Sequence, residues 1–251
     1  MDFHSHEFLI ASLARKLTGS RHIAVGSASP VPCAASLLTG ALSRGRTRVT
    51  VLGSKKQVFF TEGSRELFDS SAQGRIDAFL MGGGQIDGQA NVNLMGVGPY
   101  PKLSVRWGGN YGTPYLYSLV KRVVLFREEH TRRVFVPKVD YITAAGVNEP
   151  NVYRPGGPSA LVTSLGVFNF NRRLRRFELE SVHPGHTVEE ILDNTGFEFH
   201  LPDQVPVTEN PDSEAMALIR GRIAEEVAEI YPQFAERYLG VAAVKSNASR
   251  V

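Results

Sequence analysis

The sequence predicts an α/β fold in which a mainly parallel β-sheet is covered by helices on both faces. Short apolar runs that end in glycine or serine alternate with stretches of helical periodicity, as in His22-Ile23-Ala24-Val25-Gly26 followed by Cys33-Ala34-Ala35-Ser36-Leu37-Leu38. Runs such as Ala78-Phe79-Leu80 are apolar at consecutive positions, the pattern of strands buried on both sides. With 251 residues, 42% of them hydrophobic and 21% charged, the chain can bury a sizeable core in one domain.

In chain order, Phe8, Leu9, Ser12, Leu13 and Leu17 share one helical face, so Ser5 to Leu17 reads as an amphipathic helix capped by Ser5 or His6. His4 and His6 read as frayed terminal residues. His22 to Gly26 and the helix from Cys33 make one βα unit, and Arg48-Val49-Thr50-Val51-Leu52-Gly53-Ser54 repeats the strand-then-glycine ending. Val58-Phe59-Phe60 begins a loop that closes on Glu66 to Asp69. Ile76 and Ala78-Phe79-Leu80 then lead through Met81 into Gly82-Gly83-Gly84-Gln85-Ile86-Asp87 and on to Asn93. Glycine lets backbone approach a ligand or another backbone closely, and Gln85, Asp87, Asn91 and Asn93 supply the short polar groups of a self-bonded loop. Because ligands of parallel sheets sit outside the carboxyl ends of the strands, Gly26, Gly53 and Gly82 are expected along one edge.

Further on, Val105-Arg106-Trp107-Gly108-Gly109-Asn110-Tyr111-Gly112 is a second glycine-rich turn with the only tryptophan. Leu119 to Phe126 reads as a strand, Arg127 to Arg133 as a polar turn, and 147–158 as a long loop. Ala160 to Thr163, Gly166 to Phe170 and Phe177 to Val182 read as short antiparallel strands, with Asn171 to Arg173 as a hairpin turn. Thr187 caps a helix that stops at Gly196, with Glu190 completing a capping box. A last helix covers Ser213 to Val227. The whole chain, 1–251, reads as one domain with a helical tail from about 213.

The formal charge is +3 and the pI about 9.0, with basic residues spread apart from Arg132-Arg133 and the group Arg172-Arg173 with Arg175-Arg176. No nucleic-acid recognition motif accompanies them, so acidic small ligands are expected rather than nucleic acid. One cysteine, Cys33, excludes an intrachain disulfide and fits a reducing cytoplasm, and its surroundings suit a small buried residue better than a nucleophile. Neither a leader peptide nor an apolar run of membrane-spanning length is seen, so a cytoplasmic protein without membrane contact is expected. Zinc-ligand spacing, a Walker loop, a Ser-His-Asp order and a dinucleotide fingerprint are missing, and no metal or bound cofactor is expected. His183 reads as a turn or surface histidine rather than a base. Glu62 is a weak catalytic candidate near the sheet edge, with a solvated loop acid as the plainer reading.

Gly82-Gly83-Gly84-Gln85-Ile86-Asp87 with Asn91-Val92-Asn93 resembles the GG-x-QID…GNVN segment of the β subunit of class I coenzyme A transferases, most closely the glutaconate type. The order Val25-Gly26, Gly108-Gly109-Asn110, Val139-Asp140-Tyr141-Ile142-Thr143, Leu161-Val162-Thr163, His183-Pro184-Gly185 and Glu190 to Phe197 extends the resemblance from about residue 8 to about 200. It implies a three-layer α/β/α subunit that forms a hetero-oligomer with a separate α subunit. Acyl-CoA would lie at their junction, with coenzyme A entering as part of the substrate. It also implies that Gly82, Gly83, Gly84, Gln85, Gly108, Gly109 and Asn110 lie at the thioester, with glycine N–H groups stabilising the oxyanion. Such transferases use a β-subunit glutamate just after a strand, which attacks the thioester to give an anhydride and then a glutamyl-CoA thioester. Here Leu52, or with a one-residue shift Gly53, stands in that place, and neither can attack. A related branch without this glutamate resembles hydrolases that open a carbon ring in steroid-derived CoA thioesters, using a carboxylate of the α subunit. The resemblance thus leaves three expectations: a transferase subunit whose nucleophile is replaced by Glu62 or lies in another register, a ring-opening hydrolase subunit, or a non-catalytic CoA-binding partner.

Overall fold

Each strand at the centre of the molecule divides its side chains between two separate cores. The computed structural model describes residues 4–241, so the two ends of the expected 1–251 domain lie outside the described residues. Helix α1 (Ser5–Leu17) is followed by β1 (His22–Val25), α2 (Pro30–Leu42), β2 (Arg48–Val51), α3 (Ser64–Ala72) and β3 (Ala78–Met81). Four two-residue strands follow, β4 (Gln85–Ile86), β5 (Val92–Asn93), β6 (Gly96–Val97) and β7 (Val105–Arg106), and then α4 (Thr113–Leu119) and β8 (Arg122–Arg127). The last strands are β9 (Pro158–Thr163), β10 (Gly166–Asn171) and β11 (Arg176–Val182), followed by α5 (Val188–Asn194), α6 (Ser213–Leu218), α7 (Ala224–Ile230) and α8 (Pro232–Tyr238).

Seven strands form the central sheet in the order β11-β10-β9-β8-β3-β1-β2. β2, β1, β3, β8 and β9 run parallel, and only β10 is antiparallel to its neighbours. Ile23, Val25, Leu80, Val124 and Phe126 enter one core with α1, α2 and the C-terminal helices, while Ala24, Phe79, Met81, Val123 and Leu125 enter the other. This is a three-layer α/β/α arrangement. The chain passes from β1 to β2 on one side and returns to β3 on the other, which puts a topological switch point between the carboxyl ends of β1 and β3.

Several local expectations need correction. The cap of α1 is His4, whose N–H donates to Glu7 Oε2 at 2.7 Å, and neither Ser5 nor His6 fills that role. Glu7 is buried and is gripped by Arg220 Nε at 2.6 Å and Nη2 at 3.0 Å, which ties the start of α1 to the C-terminal helices. Burial raises the Glu7 pKa, but the Arg220 and His4 hydrogen bonds outweigh it and hold the carboxyl below its usual value. His6 is not frayed: it stacks on Tyr238 at 3.9 Å between ring centroids. The strand expected from Leu119 begins at Arg122, because Thr113 to Leu119 coils into α4 behind Gly112 and Pro114. β9, β10 and β11 form the expected antiparallel stretch, and β9 also pairs parallel with β8, which joins that stretch to the parallel strands. The expected helix over Ser213 to Val227 is interrupted by a π-helical turn, Ile219–Ile223, in which Gly221 leaves helical geometry. Thr187 does cap α5, its Oγ1 accepting from Glu190 N at 3.1 Å, but the Glu190 carboxylate pairs with His186 instead of closing a capping box.

His183 is neither a surface residue nor a base. Its Nδ1 meets Thr208 Oγ1 and its Nε2 meets Thr163 O, each at 2.9 Å, and His130 likewise bridges Thr163 Oγ1 at 2.8 Å and Thr195 Oγ1 at 2.9 Å. Both rings are buried, and burial pushes each pKa from 6.5 down to about 4. A folded-state pKa below the unfolded one means that folding favours the neutral ring. The resulting stability is complete above about pH 6.5 and is lost as pH falls toward 4, on the order of 3 kcal/mol per histidine. Melting temperature measured between pH 7.5 and 4.5 should therefore decline through that window, and His183→Gln should flatten the decline while lowering the neutral-pH value.

Candidate functional site

Because β1, β2 and β3 are parallel, Gly26, Gly53 and Gly82 all emerge at the carboxyl edge of the sheet. Leu52 extends the ladder by one residue, its N–H donating to Val25 O at 3.0 Å, and its half-buried side chain packs on the second core. Gly53 turns the chain with φ +95°, a conformation that suits glycine. Ser54 then closes the turn: Oγ accepts from Lys56 N at 3.1 Å and Gln57 N at 2.9 Å and donates to Glu229 Oε2 at 3.2 Å. Glu229 Oε1 also accepts from Lys55 N at 3.1 Å. A carboxylate thus reaches the β2 turn from α7, a placement with no local sign in the sequence because 175 residues separate the partners.

Glu62 is exposed just before α3, and it is the neighbouring Glu66 that braces this loop, accepting from Thr61 N at 2.7 Å, a bond that holds the Glu66 carboxyl below its usual value. Two residues after Glu62, Ser64 Oγ comes within 3.5 Å of Tyr111 Oη, so Glu62 stands near the second glycine turn.

The first glycine turn is explained largely by packing. A Cβ on Gly83 would come within 2.5 Å of Val92 Cγ1, one on Gly82 within 3.1 Å of Phe126 O, and one on Gly84 would overlap the ring of Trp107. The Trp107 ring therefore lies directly on Gly84 and joins the two glycine-rich turns. Gly108, Gly109 and Asn110 are exposed, and a Cβ on either glycine would meet nothing within 4 Å, so packing does not explain them. Tyr111 rests on Phe68, with ring centroids 5.8 Å apart.

Gln85 is buried, and its Oε1 accepts from Asn93 Nδ2 at 2.7 Å and Asp140 N at 3.0 Å. Asp87 Oδ1 accepts from Gln89 N at 3.1 Å and Asn91 N at 3.0 Å, while Asn91 Oδ1 accepts from Gly146 N at 3.0 Å. The polar residues of this motif brace the loop that presents the glycines. Cys33 is fully buried and its thiol is pushed up to about 12 by that burial, which leaves it inert.

A crevice of about 330 Å³ opens at the switch point, between the first turn of α2, Gly82 and the end of β8. Arg127 and Glu128 line it, with His6 Nε2 3.4 Å from Glu128 Oε2. Glu129 is 3.6 Å from Arg127 but is held by Arg133 Nε at 3.1 Å and Nη2 at 2.5 Å, which lowers its pKa. In the sequence these residues read only as a polar turn, because the approach of α1 to β8 is a long-range event. Among the described residues no group of three His, Cys, Asp or Glu side chains could hold a metal ion.

Adding a methyl group at Gly84 should force the Trp107 ring to move. Gly84→Ala is expected to cost about 1–3 kcal/mol as overpacking and to shift the emission of this single tryptophan; an unchanged spectrum and melting temperature would separate the two turns. Gly83→Val should destabilise the protein as well, because its site is closed by Val92.

Comparison with known proteins gives this geometry a context. The sequence matches the family model for coenzyme A transferase over residues 7–194. It is 33% identical over 160 residues to the β-type subunit of the 3-oxoadipate CoA-transferase of Pseudomonas knackmussii, covering 60% of this chain and 61% of that protein. It is 34% identical over 160 residues to the cholesterol ring-cleaving hydrolase IpdB subunit of Rhodococcus jostii, covering 62% of each. The chain thus aligns with about three fifths of the length of these curated relatives. The crystal structure of Rhodococcus jostii RHA1 IpdAB superposes with a TM-score of 0.77 at 27% identity, over 88% of this chain and 94% of that one. With the family match running through all three glycine endings and both histidines of the buried network, this chain belongs to the coenzyme A transferase family.

Proposed function

We propose that this chain is the β-type subunit of an enzyme acting on acyl-CoA thioesters with a separate α subunit, and that it supplies the glycine-turn wall of the pocket rather than the nucleophile. The observation that supports this reading is the turn after β2, where Leu52, or with a one-residue shift Gly53, stands at the position that the family resemblance gives to the glutamate of transferring members. Double displacement needs a carboxylate free to attack the thioester carbonyl and to leave again as an anhydride. Glu229 reaches the turn, but both its oxygens are engaged by hydrogen bonds from Ser54 and Lys55. The hydrolytic reading is therefore favoured: an acid of the α subunit activates water for attack on a substrate carbonyl, and this chain shapes and dries the pocket. The likeness to a ring-cleaving hydrolase subunit supports that reading.

Exposed N–H groups at Gly108, Gly109 and Asn110 are the donors we assign to the developing oxyanion. Around the same turn Tyr111 is 78% exposed, with Tyr100 and Val105 also open to solvent, an apolar rim that suits coverage by a partner subunit. No bound cofactor is needed, because coenzyme A arrives on the substrate, and the buried free Cys33 fits the cytoplasm. Among the described residues no helix is long and apolar enough to cross a membrane. A second reading, transfer through Glu62, draws on its place near Tyr111, and a third makes the chain a CoA-binding partner without a catalytic side chain.

The complex co-expressed with its α subunit, incubated with acyl-CoA in isotopically heavy water and quenched with hydroxylamine or borohydride, should show label in the product and no modified glutamate on this chain. A glutamyl adduct at Glu62 or Glu229 would establish transfer instead, and neither adduct nor turnover would leave the binding partner.

A further inference from the structure

We propose that a groove at the opposite, amino edge of the sheet binds a small apolar molecule carrying a single carboxylate. The groove has a volume of about 530 Å³ and lies between α1, α2 and α6, with Ala11, Ala14, Leu38, Leu42 and Ala215 among its walls. Arg21 and Thr47, which also line it, stand directly before β1 and β2, so it lies at the far end of those strands from the glycine turns. Its size is that of a small-molecule pocket, which spans roughly 300–1,000 Å³.

The chemistry of the ligand follows from which polar groups are already spent. Thr18 Oγ1 donates to Ala14 O at 3.4 Å, Ser20 to Leu17 O at 2.7 Å, Thr39 to Ala35 O at 2.9 Å, Ser43 to Gly40 O at 2.7 Å and Thr47 to Ser20 O at 2.7 Å. With every hydroxyl proton committed to backbone, the walls offer a ligand mainly methyl and methylene surface. Arg15 is occupied too, its two terminal nitrogens donating to Glu209 O and Asn210 O at 2.7 Å each and fixing the strap that closes one side. Asp212 caps α6 by accepting from Ala215 N at 2.7 Å.

Two cations at the rim remain. Arg21 is mostly exposed and approaches Asp77 only to 3.7 Å, while that carboxylate already accepts from Arg21 N and His22 N. Arg46 donates through Nε to Ser43 O at 3.1 Å, and its terminal nitrogens have no partner among the described residues. Behind the turn at 17–20, Arg122 adds a further positive charge, donating to Thr18 O at 3.1 Å and Leu17 O at 3.4 Å. An apolar body is removed from water by the walls, and a carboxylate head meets a planar guanidinium suited to it. An amine would face four guanidinium groups, those of Arg15, Arg21, Arg46 and Arg122, against the one carboxylate of Asp212 in the wall, and an uncharged head would forgo the charge-assisted bond. The site stands whether or not the chain handles acyl-CoA.

Isothermal titration of the purified full chain with decanoate, kept below its micelle concentration, should show one saturable site at least about tenfold tighter than for decanol, with no binding of decylamine. Substituting both Arg21→Gln and Arg46→Gln should erase the preference for decanoate and leave decanol binding unchanged. Leu42→Trp, at a third-exposed position on the mouth, should abolish both, with circular dichroism confirming an intact fold. Equal affinity for decanoate and decanol, a preference that survives the double substitution, or absence of saturable decanoate binding would each overturn the proposal. So would self-association of the chain through this face that decanoate fails to disperse.

Discussion

A parallel sheet with both faces covered has only its two edges to offer a ligand, and that constraint organises the rest of the molecule. β1, β3 and β8 send alternate side chains into cores that are closed by helices on either side, so no ligand can reach the sheet from its faces. At the carboxyl edge the strands must stop, turn and re-enter helices, and the turns they use are built on glycine. At Gly84 the need is steric, because the Trp107 ring occupies the volume of a side chain. At Gly53 it is conformational, because φ is positive. At Gly108 and Gly109 neither need exists in the chain itself, and on that ground the proposed function gives those two glycines to a ligand.

The same distinction separates what is legible in the sequence from what is hidden there. Strands buried on both faces announce themselves by consecutive apolar residues, so β1, β2 and β3 and the convergence of their glycine endings can be read directly. α4 is hidden because a short helix that starts behind Gly112 and Pro114 leads without a break into the apolar run of β8. The C-terminal helices read as one because a single Gly221 inside a helical pattern is tolerated at about 1 kcal/mol, and its departure from helical geometry leaves no further mark in the sequence. Gln85 looks like a ligand-facing residue for the same reason that it is a good brace: a polar side chain beside glycines can hydrogen-bond outward or inward, and only the position of Asp140, 55 residues away, settles which. His183 reads as a turn residue from its Pro184-Gly185 neighbours, yet the turn it begins is folded under, and its ring lies beside the His130 network.

The turn after β2 keeps its shape without a reactive side chain at Leu52 or Gly53. Ser54 and Glu229 fix the turn from within the subunit, so its shape does not depend on a side chain at Leu52 or Gly53. An aliphatic residue at Leu52 adds apolar contact to the second core, where a carboxylate would have to remain solvated or be held by hydrogen bonds. Leu52 therefore contributes packing at this turn and no nucleophile. On the proposed function, such a turn suits a subunit whose partner brings the acid and whose own task is to hold backbone donors still.

Holding them still is a matter of what stands behind the donors. The second glycine turn is exposed, but it is pinned at both ends, by Trp107 on Gly84 and by Tyr111 on Phe68, and α4 starts directly after it. Donors fixed before the reaction need no reorganisation as charge develops, which is where their value lies. The braces behind that turn are themselves anchored through Gln85, Asn93 and Asp140 to the two-stranded extension of β3. On the proposed function, a chain with no nucleophile at β2 still serves catalysis, through the bracing that Trp107 on Gly84 gives to the loop carrying Gly108 and Gly109.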